Sequence, residues 1–423
     1  MVCLAMTQSS EAPSKVPPSD EPLGVSRHEG HRRGRSAAIR FFQSGCVLLA
    51  TVIGCQALSA SASSRSTVVA ITHGDGGGAS ADFMSGFALG LDQVRACGVD
   101  PASVDWLSIA PGDDPSALLG QQVSVLVAPF SADLATYAQL ASQRKLGVLL
   151  PYQRGDSIES LSELDPEGRL HPVVPPYQQD LNHLVDDLRD QGIQRVMVVA
   201  DPTDRSADQA ERFVSAFQAK GGIVESYEPS LVQMLNPGDT AALERLVNDV
   251  SWKGPQAIVV AAAHDSALAE QLDQAQASGR FGQSPEVLLR VWLLPHHRVQ
   301  DLSARSWPQL ILNQPARGPG WTDFSSLYSR VRGEQPTLLA ASGFDTSRLM
   351  ALSALTPPPI STEGTRDPLG WLAPDQEAKP LCDAIGDRLS GKPVRLIGAA
   401  SDLMQRPGQP PSGQATTRRI PSR

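Results

Sequence analysis

The sequence lacks most of the motifs that mark a metalloprotein or a hydrolase. It has no His-Glu-x-x-His motif, no pair of Cys-x-x-Cys motifs and no Gly-x-Ser-x-Gly turn, so neither a zinc site nor a serine nucleophile is indicated. His296 and His297 are adjacent but lack a spaced third ligand, which is more typical of a solvated loop. The sequence therefore predicts no catalytic residue, no metal and no cofactor, and it does not favour an enzyme.

The chain also lacks a basic surface pattern. Its 423 residues carry a formal net charge of -9. Residues 1–54 hold six basic and four acidic residues, so the remainder holds 30 basic against 41 acidic residues. Phosphate binding needs clustered Lys and Arg, and no basic stripe interleaved with aromatic residues is present. This charge distribution argues against nucleic acid as a partner.

No apolar run is long enough to span a membrane comfortably. The longest candidate, Phe41–Ile53, is shorter than the roughly 20 residues that a transmembrane helix needs and follows a basic segment. A basic flank before a short apolar run is typical of a signal peptide. Its end, Val52-Ile53-Gly54-Cys55, resembles the lipobox of bacterial lipoproteins. The alternative interpretations are an uncleaved membrane anchor and a buried apolar strand.

The lipobox resemblance implies cleavage before Cys55 and acylation of its sulfur, followed by the Ser/Ala-rich tether Ser59–Ser66. A protein processed in this way would lie in the periplasm, anchored to a membrane by lipid. Only Cys97 and Cys382 would then remain as ordinary cysteines. They could pair in an oxidising compartment, or they could be two unpaired buried thiols.

Beyond Thr67 the chain alternates β-rich runs with amphipathic stretches. One strand-like run is Arg195–Ala200, and a helical pattern with Ala210, Phe213 and Phe217 on one face follows it. Thr240 is a candidate N-cap of a later helix. Repeated βα order predicts an α/β fold with parallel sheets and helices on both faces. The Pro-rich stretch His171–Pro176 divides the pattern into two Rossmann-like lobes joined by a hinge.

The segment boundaries follow from composition and from this break. We expect residues 1–54 to be a disordered N-terminus and signal peptide, and residues 55–66 a lipid-anchored tether. Lobe 1 is expected to begin with residues 67–173 and lobe 2 with residues 174–312. Residues 405–423 are rich in Pro, Gln, Gly, Ser and Arg, which predicts a disordered tail.

Four segments resemble the type I periplasmic binding family, which includes the leucine/isoleucine/valine-binding proteins. They are Val125–Pro151 with its Ala-Pro-Phe-Ser turn, Gln191–Gly222, Pro255–Ala275, and Ala340–Leu355 with Gly343-Phe344-Asp345 where the family usually has Tyr-Asp-Ala. The resemblance spans residues 67–400. It implies two lobes, three crossing strands and closure on a small solute. The return of about 313–375 to lobe 1 and of about 376–404 to lobe 2 is implied by the same resemblance. It also implies docking of the closed form onto the permease of an ABC importer.

Ligand contacts can be transferred only where these segments match. The resemblance implies Ser131 in the turn before a helix, where a hydroxyl and free N–H groups can take a carboxylate. It also implies Gln153 and Arg154 after Pro151, Arg205 after the next strand, and His264 with Asp265 after a third. The two arginines suit an anionic ligand, or they are solvated residues at the rim.

A dinucleotide site is the weaker interpretation of the first turn. Gly74-x-Gly76-x-x-Ala79 matches the dinucleotide fingerprint formally, but an exported protein rarely meets that cofactor. We interpret it as a flexible turn at the mouth of the cleft. The sequence thus predicts a solute-binding lipoprotein for amino acids or related small anionic or zwitterionic solutes. The alternative is a partner-binding lipoprotein of the same fold, such as a peptidoglycan synthase activator.

Overall fold

The computed structural model describes most of the chain beyond residue 66. The described residues are 67–73, 78–101, 104–109, 113–119, 123–226, 229–282, 288–294, 307–355, 368–404, 406 and 408–422. The predicted signal peptide, Cys55 and the tether lie outside them, as do His296 and His297. Among the described helices, none is both long and apolar enough to cross a membrane.

Lobe 1 is built on a parallel sheet of five strands in the order β2-β1-β3-β4-β5. The strands are β1 Thr67–His73, β2 Val104–Ile109, β3 Val123–Val127, β4 Gly147–Leu150 and β5 Leu170–Pro172. The inner strand β4 is buried along its whole length, as expected for a parallel strand covered on both faces. Its helices are α1 Gly78–Ala96, α2 Leu134–Arg144, α3 Asp156–Glu159 and α4 Leu161–Leu164.

Lobe 2 has a second parallel sheet, formed mostly by residues 195–317. Its strands are β6 Arg195–Ala200, β7 Ile223–Val224, β8 Val232–Met234, β9 Ala257–Ala261, β10 Leu289–Trp292 and β11 Gln309–Arg317. Two helices cover each face: α5 Tyr177–Asp190 and α6 Asp204–Ala219 on one, α7 Thr240–Lys253 and α8 Ala267–Ala277 on the other. The apolar β-branched runs of β6 and β9 thus fill two cores.

Three further helices return to lobe 1. They are α9 Trp321–Arg332, α10 Leu338–Ala354 and α11 Leu381–Leu389, and their apolar side chains share one core with Phe83 and Phe87 of α1. A small sheet of β12 Ala378–Lys379 and β13 Arg395–Leu396 flanks α11. The α1–α10 contact is close because Gly343 faces the backbone of Phe83, where a Cβ would overlap the carbonyl oxygen.

Two predicted segment assignments are wrong. Residues 376–404 belong to lobe 1 rather than lobe 2, since Leu381, Ala384 and Val394 lie in the lobe 1 core. A disulfide between Cys97 and Cys382 joins α11 to the end of α1. An amphipathic helix shows which of its faces is buried, but it does not show which core receives that face.

The predicted disordered tail is the second error. Residues Gln414–Ile420 form β14, which pairs antiparallel with β11 and buries Ala415 and Ile420. The Pro- and Gly-rich composition of 405–413 suggested disorder, but an open edge of lobe 2 provides hydrogen-bond partners for the strand that follows. The boundary near residue 313 also shifts, because β11 continues in lobe 2 to Arg317.

Candidate functional site

The carboxyl edges of both sheets lie where the chain crosses between the lobes. The first crossing follows the end of β5, and the second follows the end of β11. The third runs from lobe 1 at Ser401 to β14 in lobe 2. In open parallel sheets ligands bind beyond the carboxyl ends of the strands. The turns after β3, β4, β6 and β9 are therefore the candidate walls of a site between the lobes, and the three crossings are its hinge.

The turn after β3 places Ser131 at the surface, two residues before the N-cap of α2. That cap is Asp133, whose carboxylate accepts the Thr136 N–H at 3.1 Å and the Thr136 hydroxyl at 2.5 Å. These bonds lower the pKa of Asp133. The anion position that was expected at this helix start is therefore occupied by a carboxylate of the chain itself. Ligand contact by the Ser131 hydroxyl stays a prediction.

Ser131 also lines a surface depression of about 640 Å³. Its other polar lining groups include Asp113, Asp114, Asp133 and Thr136. Asp114 caps the short helical turn after β2 by accepting the Ser116 N–H at 2.8 Å. Two of the three carboxylates in this depression thus cap the starts of helices. An anionic solute would meet negative charge at this position.

Gln153 follows β4 and is buried. Its Nε2 donates to the carbonyl oxygen of Pro129 at 2.6 Å, and its Oε1 accepts the Tyr152 N–H at 3.1 Å. The side chain therefore joins the turn after β4 to the turn after β3. This gives Gln153 a structural role in lobe 1, and its predicted contact with a ligand stays a prediction.

Arg154 is buried as well, and it joins the two lobes. Its Nε donates to the carbonyl oxygen of Pro175 at 2.7 Å, and its Nη2 donates to Asp180 Oδ2 at 2.8 Å. The guanidinium carbon lies 4.4 Å from the centre of the Tyr177 ring. The other carboxylate oxygen of Asp180 accepts the Ala316 N–H at 2.6 Å. Arg154 of lobe 1 is thus tied to the first crossing, to α5 and, through Asp180, to β11.

Further polar contacts join the three crossings to one another. Gln179 donates to Pro411 O at 3.1 Å and accepts the Gly413 N–H at 3.0 Å. The Ser401 hydroxyl donates to Val173 O at 2.7 Å. Together with Asp180 they give the hinge a buried polar core.

The sequence analysis did not identify Asp180 or Gln179. One signal was available for Asp180, which lies one turn before Leu184 and two turns before Leu188 on the apolar stripe of α5. A carboxylate on a buried helix face requires a partner. That partner is Arg154, 26 residues earlier in the chain and in the other lobe.

The predicted ligand contacts of lobe 2 are more exposed than Gln153 and Arg154 of lobe 1. Arg205 is exposed in the first turn of α6, Asp265 is exposed, and His264 is half-buried. The Asp201 N–H donates to Ala261 O at 3.2 Å, so the ends of β6 and β9 adjoin. Arg205 therefore lies at the same sheet edge as His264 and Asp265. The structure thus places the predicted residues in two groups, one on each lobe.

The described residues hold no group of three or more His, Cys, Asp or Glu side chains that could bind a metal ion. Of the dinucleotide-like turn, Gly74 and Gly76 lie outside the described chain, and α1 begins at Gly78.

The fold is similar to that of several solved transport proteins. A putative branched-chain amino acid ABC transporter protein from Rhodospirillum rubrum matches with a TM-score of 0.55 and 18% identity, over 83% of this chain and 96% of that one. An ABC transporter substrate-binding protein from Desulfitobacterium hafniense in complex with Leu matches with a TM-score of 0.52 and 17% identity, over 84% and 97%. Another structure described as a substrate-binding protein from that organism has a TM-score of 0.53 and 17% identity, over 84% and 98%.

No protein-family model matches the chain, and no curated protein matches its sequence. At identities below one fifth, the structural similarity establishes the fold. Together with the sheet topology it confirms the expected two-lobed α/β architecture with parallel sheets.

Proposed function

We propose that this chain is an extracytoplasmic solute-binding lipoprotein without enzymatic activity. The observation that carries the proposal is the meeting of two parallel sheets, carboxyl edge toward carboxyl edge, across a hinge of three crossings. The similarity to substrate-binding proteins of ABC transporters supports it. We infer that an amino acid or a related small anionic or zwitterionic solute binds between the lobes and that a permease receives it.

The proposed contacts are Ser131 from lobe 1 and Arg205, His264 and Asp265 from lobe 2. The carboxylates around Ser131 favour the ammonium group of a zwitterionic solute at that end of the site, and Arg205 favours its carboxylate. Arg205 supports an anionic group on the solute because its guanidinium is exposed at the amino end of α6, where the helix dipole also favours negative charge. Arg154 does not provide such a contact in this conformation because Asp180 neutralises it. Gln153 and Arg154 would instead shape the site through the hinge.

A panel of solutes tests this proposal. Purified protein is heated with leucine, glutamate, benzoate or phosphate, and a bound solute raises the melting temperature in proportion to RT ln(1 + [L]/Kd). We expect at least one carboxylate to stabilise the protein and Arg205→Ala to remove most of that shift. Lys220→Ala is the control, because Lys220 follows the opposite end of α6. A library without any stabilising solute would contradict solute binding.

Export and lipidation form a separate part of the proposal. The Cys97–Cys382 disulfide supports an oxidising compartment, and the lipobox-like segment supports acylation of Cys55. Mass spectrometry of the mature N-terminus in a bacterial host tests this part. We expect a chain that begins at acylated Cys55, and Cys55→Ser should abolish the modification. A mature chain that still begins at Met1 would refute it.

A second candidate function is partner binding by the same fold without a small solute. The burial of Gln153 and Arg154 favours it, because two of the predicted ligand contacts are used internally. This candidate predicts no stabilisation by any small molecule. It also predicts that cross-linking in the cell envelope captures a protein partner, and that Arg205→Ala leaves this capture unchanged.

A further inference from the structure

Within the described parts of the chain, two ion pairs of contrasting burial join the lobes. Both begin in the stretch of lobe 1 that follows β4. Arg154 pairs with Asp180 of α5, and Glu159 at the end of α3 pairs with Arg212 in the middle of α6. Two lobes that have separate cores and are linked by a few chain crossings are expected to move relative to each other. When the lobes move relative to each other, each of these two ion pairs must either stay intact or break.

We propose that the Glu159–Arg212 pair is a releasable clasp between the lobes and that the Arg154–Asp180 pair is the pivot, which stays intact as the clasp opens. This proposal about the two ion pairs does not depend on whether a solute or a protein occupies the cleft.

The clasp is accessible to solvent on its lobe 1 side. Arg212 Nη1 lies 3.2 Å from Glu159 Oε1, and the Glu159 side chain is 38% exposed. Water can therefore solvate the carboxylate as soon as the lobes separate. An ion pair with one partly exposed member contributes little to stability, so little free energy is needed to break it.

Arg212 has a second carboxylate on its own helix. Its Nε donates to Asp208 Oδ1 at 3.1 Å and to Oδ2 at 3.0 Å, one turn earlier on α6. Arg212 itself is only 13% exposed, so an unpaired guanidinium would be unfavourable there. Because Asp208 moves with Arg212, the charge remains compensated after Glu159 leaves. This arrangement makes the clasp reversible.

The pivot has the opposite properties. The side chains of Arg154 and Asp180 are 3% and 6% exposed. The pair also holds Pro175 of the first crossing and Ala316 of β11 through hydrogen bonds. No second carboxylate is seen on Arg154 among the described ion pairs. Separating this pair would leave buried charges uncompensated, so the lobes rotate about it and separate at Glu159.

Glu159→Gln tests the clasp in the full-length protein without added ligand, and Glu163→Gln is the matched control. Glu163 lies on the next helix, α4, and is exposed, so both variants lose the same charge. We expect hydrogen exchange in peptides covering α3 and the middle of α6 to be several-fold faster in Glu159→Gln. Exchange at the start of α5 should not change. In wild-type protein at about 1 M salt, hydrogen exchange in α3 and the middle of α6 should approach the rate of the variant, because salt screens the exposed pair.

Small-angle X-ray scattering provides the second measurement. Glu159→Gln should raise the radius of gyration by roughly 1 Å from the value of about 22 Å expected for a compact chain of this length, and Glu163→Gln should not. If Glu159→Gln matches wild type in both exchange and scattering, the clasp does not exist. If exchange at the start of α5 rises as much as at α3, the pair at Arg154 is not a pivot. If Glu163→Gln changes exchange and scattering as much as Glu159→Gln does, the loss of one negative charge explains the opening, and the Glu159–Arg212 pair is not a clasp.

Discussion

The two lobes share an architecture but are assembled differently. Among the described residues, lobe 2 is formed almost entirely by the stretch 177–317, to which only β14 is added from elsewhere. Lobe 1 combines residues 67–172 with residues 321–355 and 368–400. Segments that are far apart in sequence must be brought into register by specific contacts, because local βα order does not define their relative positions.

Three contacts of lobe 1 join such distant segments through single residues, whereas the helices of lobe 2 begin at local caps. Gly343 allows α10 to approach α1, Asp345 of α10 binds the backbone before the third crossing, and Cys382 of α11 is bonded to Cys97. In lobe 2 the helices α6, α7 and α8 are each capped by a residue adjacent to their first turn. We therefore expect point substitutions to be most damaging at the long-range contacts of lobe 1.

The largest effect is expected for Asp345→Ala. Asp345 is fully buried, and its Oδ2 accepts the N–H groups of Ala399 and Ala400, each at 2.7 Å. Its Oδ1 accepts Arg348 Nη1 at 3.1 Å. The variant leaves two buried donors and a buried guanidinium without their acceptor. We expect a loss of about 3–5 kcal/mol in the free energy of unfolding, measured by urea denaturation. A loss below about 1 kcal/mol would show that the contacts of Asp345 do not stabilise lobe 1.

Asp345 also predicts a pH dependence of stability. Burial raises its pKa to about 6 from an ordinary value of 3.8, so between these values the folded protein binds a proton that the unfolded chain releases. The contribution of Asp345 to stability therefore falls as pH rises from 4 to 7, by about 2 kcal/mol. The free energy of unfolding of wild type minus that of Asp345→Ala should decline across this window. A difference that grows with pH would contradict the raised pKa.

Gly343→Ala should have the next largest effect. A Cβ at this position would overlap the backbone of Phe83, which cannot move without displacing α1. We expect a loss of about 2–3 kcal/mol. Gly386→Ala in α11 is the matched control because no atom lies within 4 Å of the added Cβ. There the helix should gain up to about 1 kcal/mol. Equal effects of the two substitutions would remove close packing as the explanation.

Removal of the disulfide should destabilise lobe 1 by about 2 kcal/mol or more. The double variant Cys97→Ser/Cys382→Ser frees α11 from α1, so hydrogen exchange should increase in both helices. Exchange in β6 and β9 of lobe 2 should remain as in wild type. Reduction of the wild-type disulfide should reproduce the change. Faster exchange spread evenly over both lobes would mean that the two lobes unfold as one unit.

The sequence predicted the local order of this fold better than its long-range contacts. Runs such as Arg195–Ala200 indicate buried strands, because a parallel strand that is covered on both faces is apolar along most of its length. The Asp180 carboxylate that neutralises Arg154 lies in another lobe, so its position could not be obtained from the residues near Arg154. Likewise, β14 depends on an open edge of β11, which composition does not reveal. Arg205, His264 and Asp265 lie at one sheet edge because they follow β6 and β9, which are neighbours in the sheet.

The smallest effect is expected at a cap of lobe 2. Thr240 was predicted to be the N-cap of α7, but the cap is Asp239, whose carboxylate accepts the Ala242 N–H at 2.9 Å. Asp239→Ala should therefore cost about 1 kcal/mol in unfolding free energy, and Thr240→Ala, at an exposed first-turn position, should cost less. Faster exchange should be confined to the first turn of α7. If Asp239→Ala destabilised the protein as much as Asp345→Ala, local contacts would constrain lobe 2 as strongly as long-range contacts constrain lobe 1.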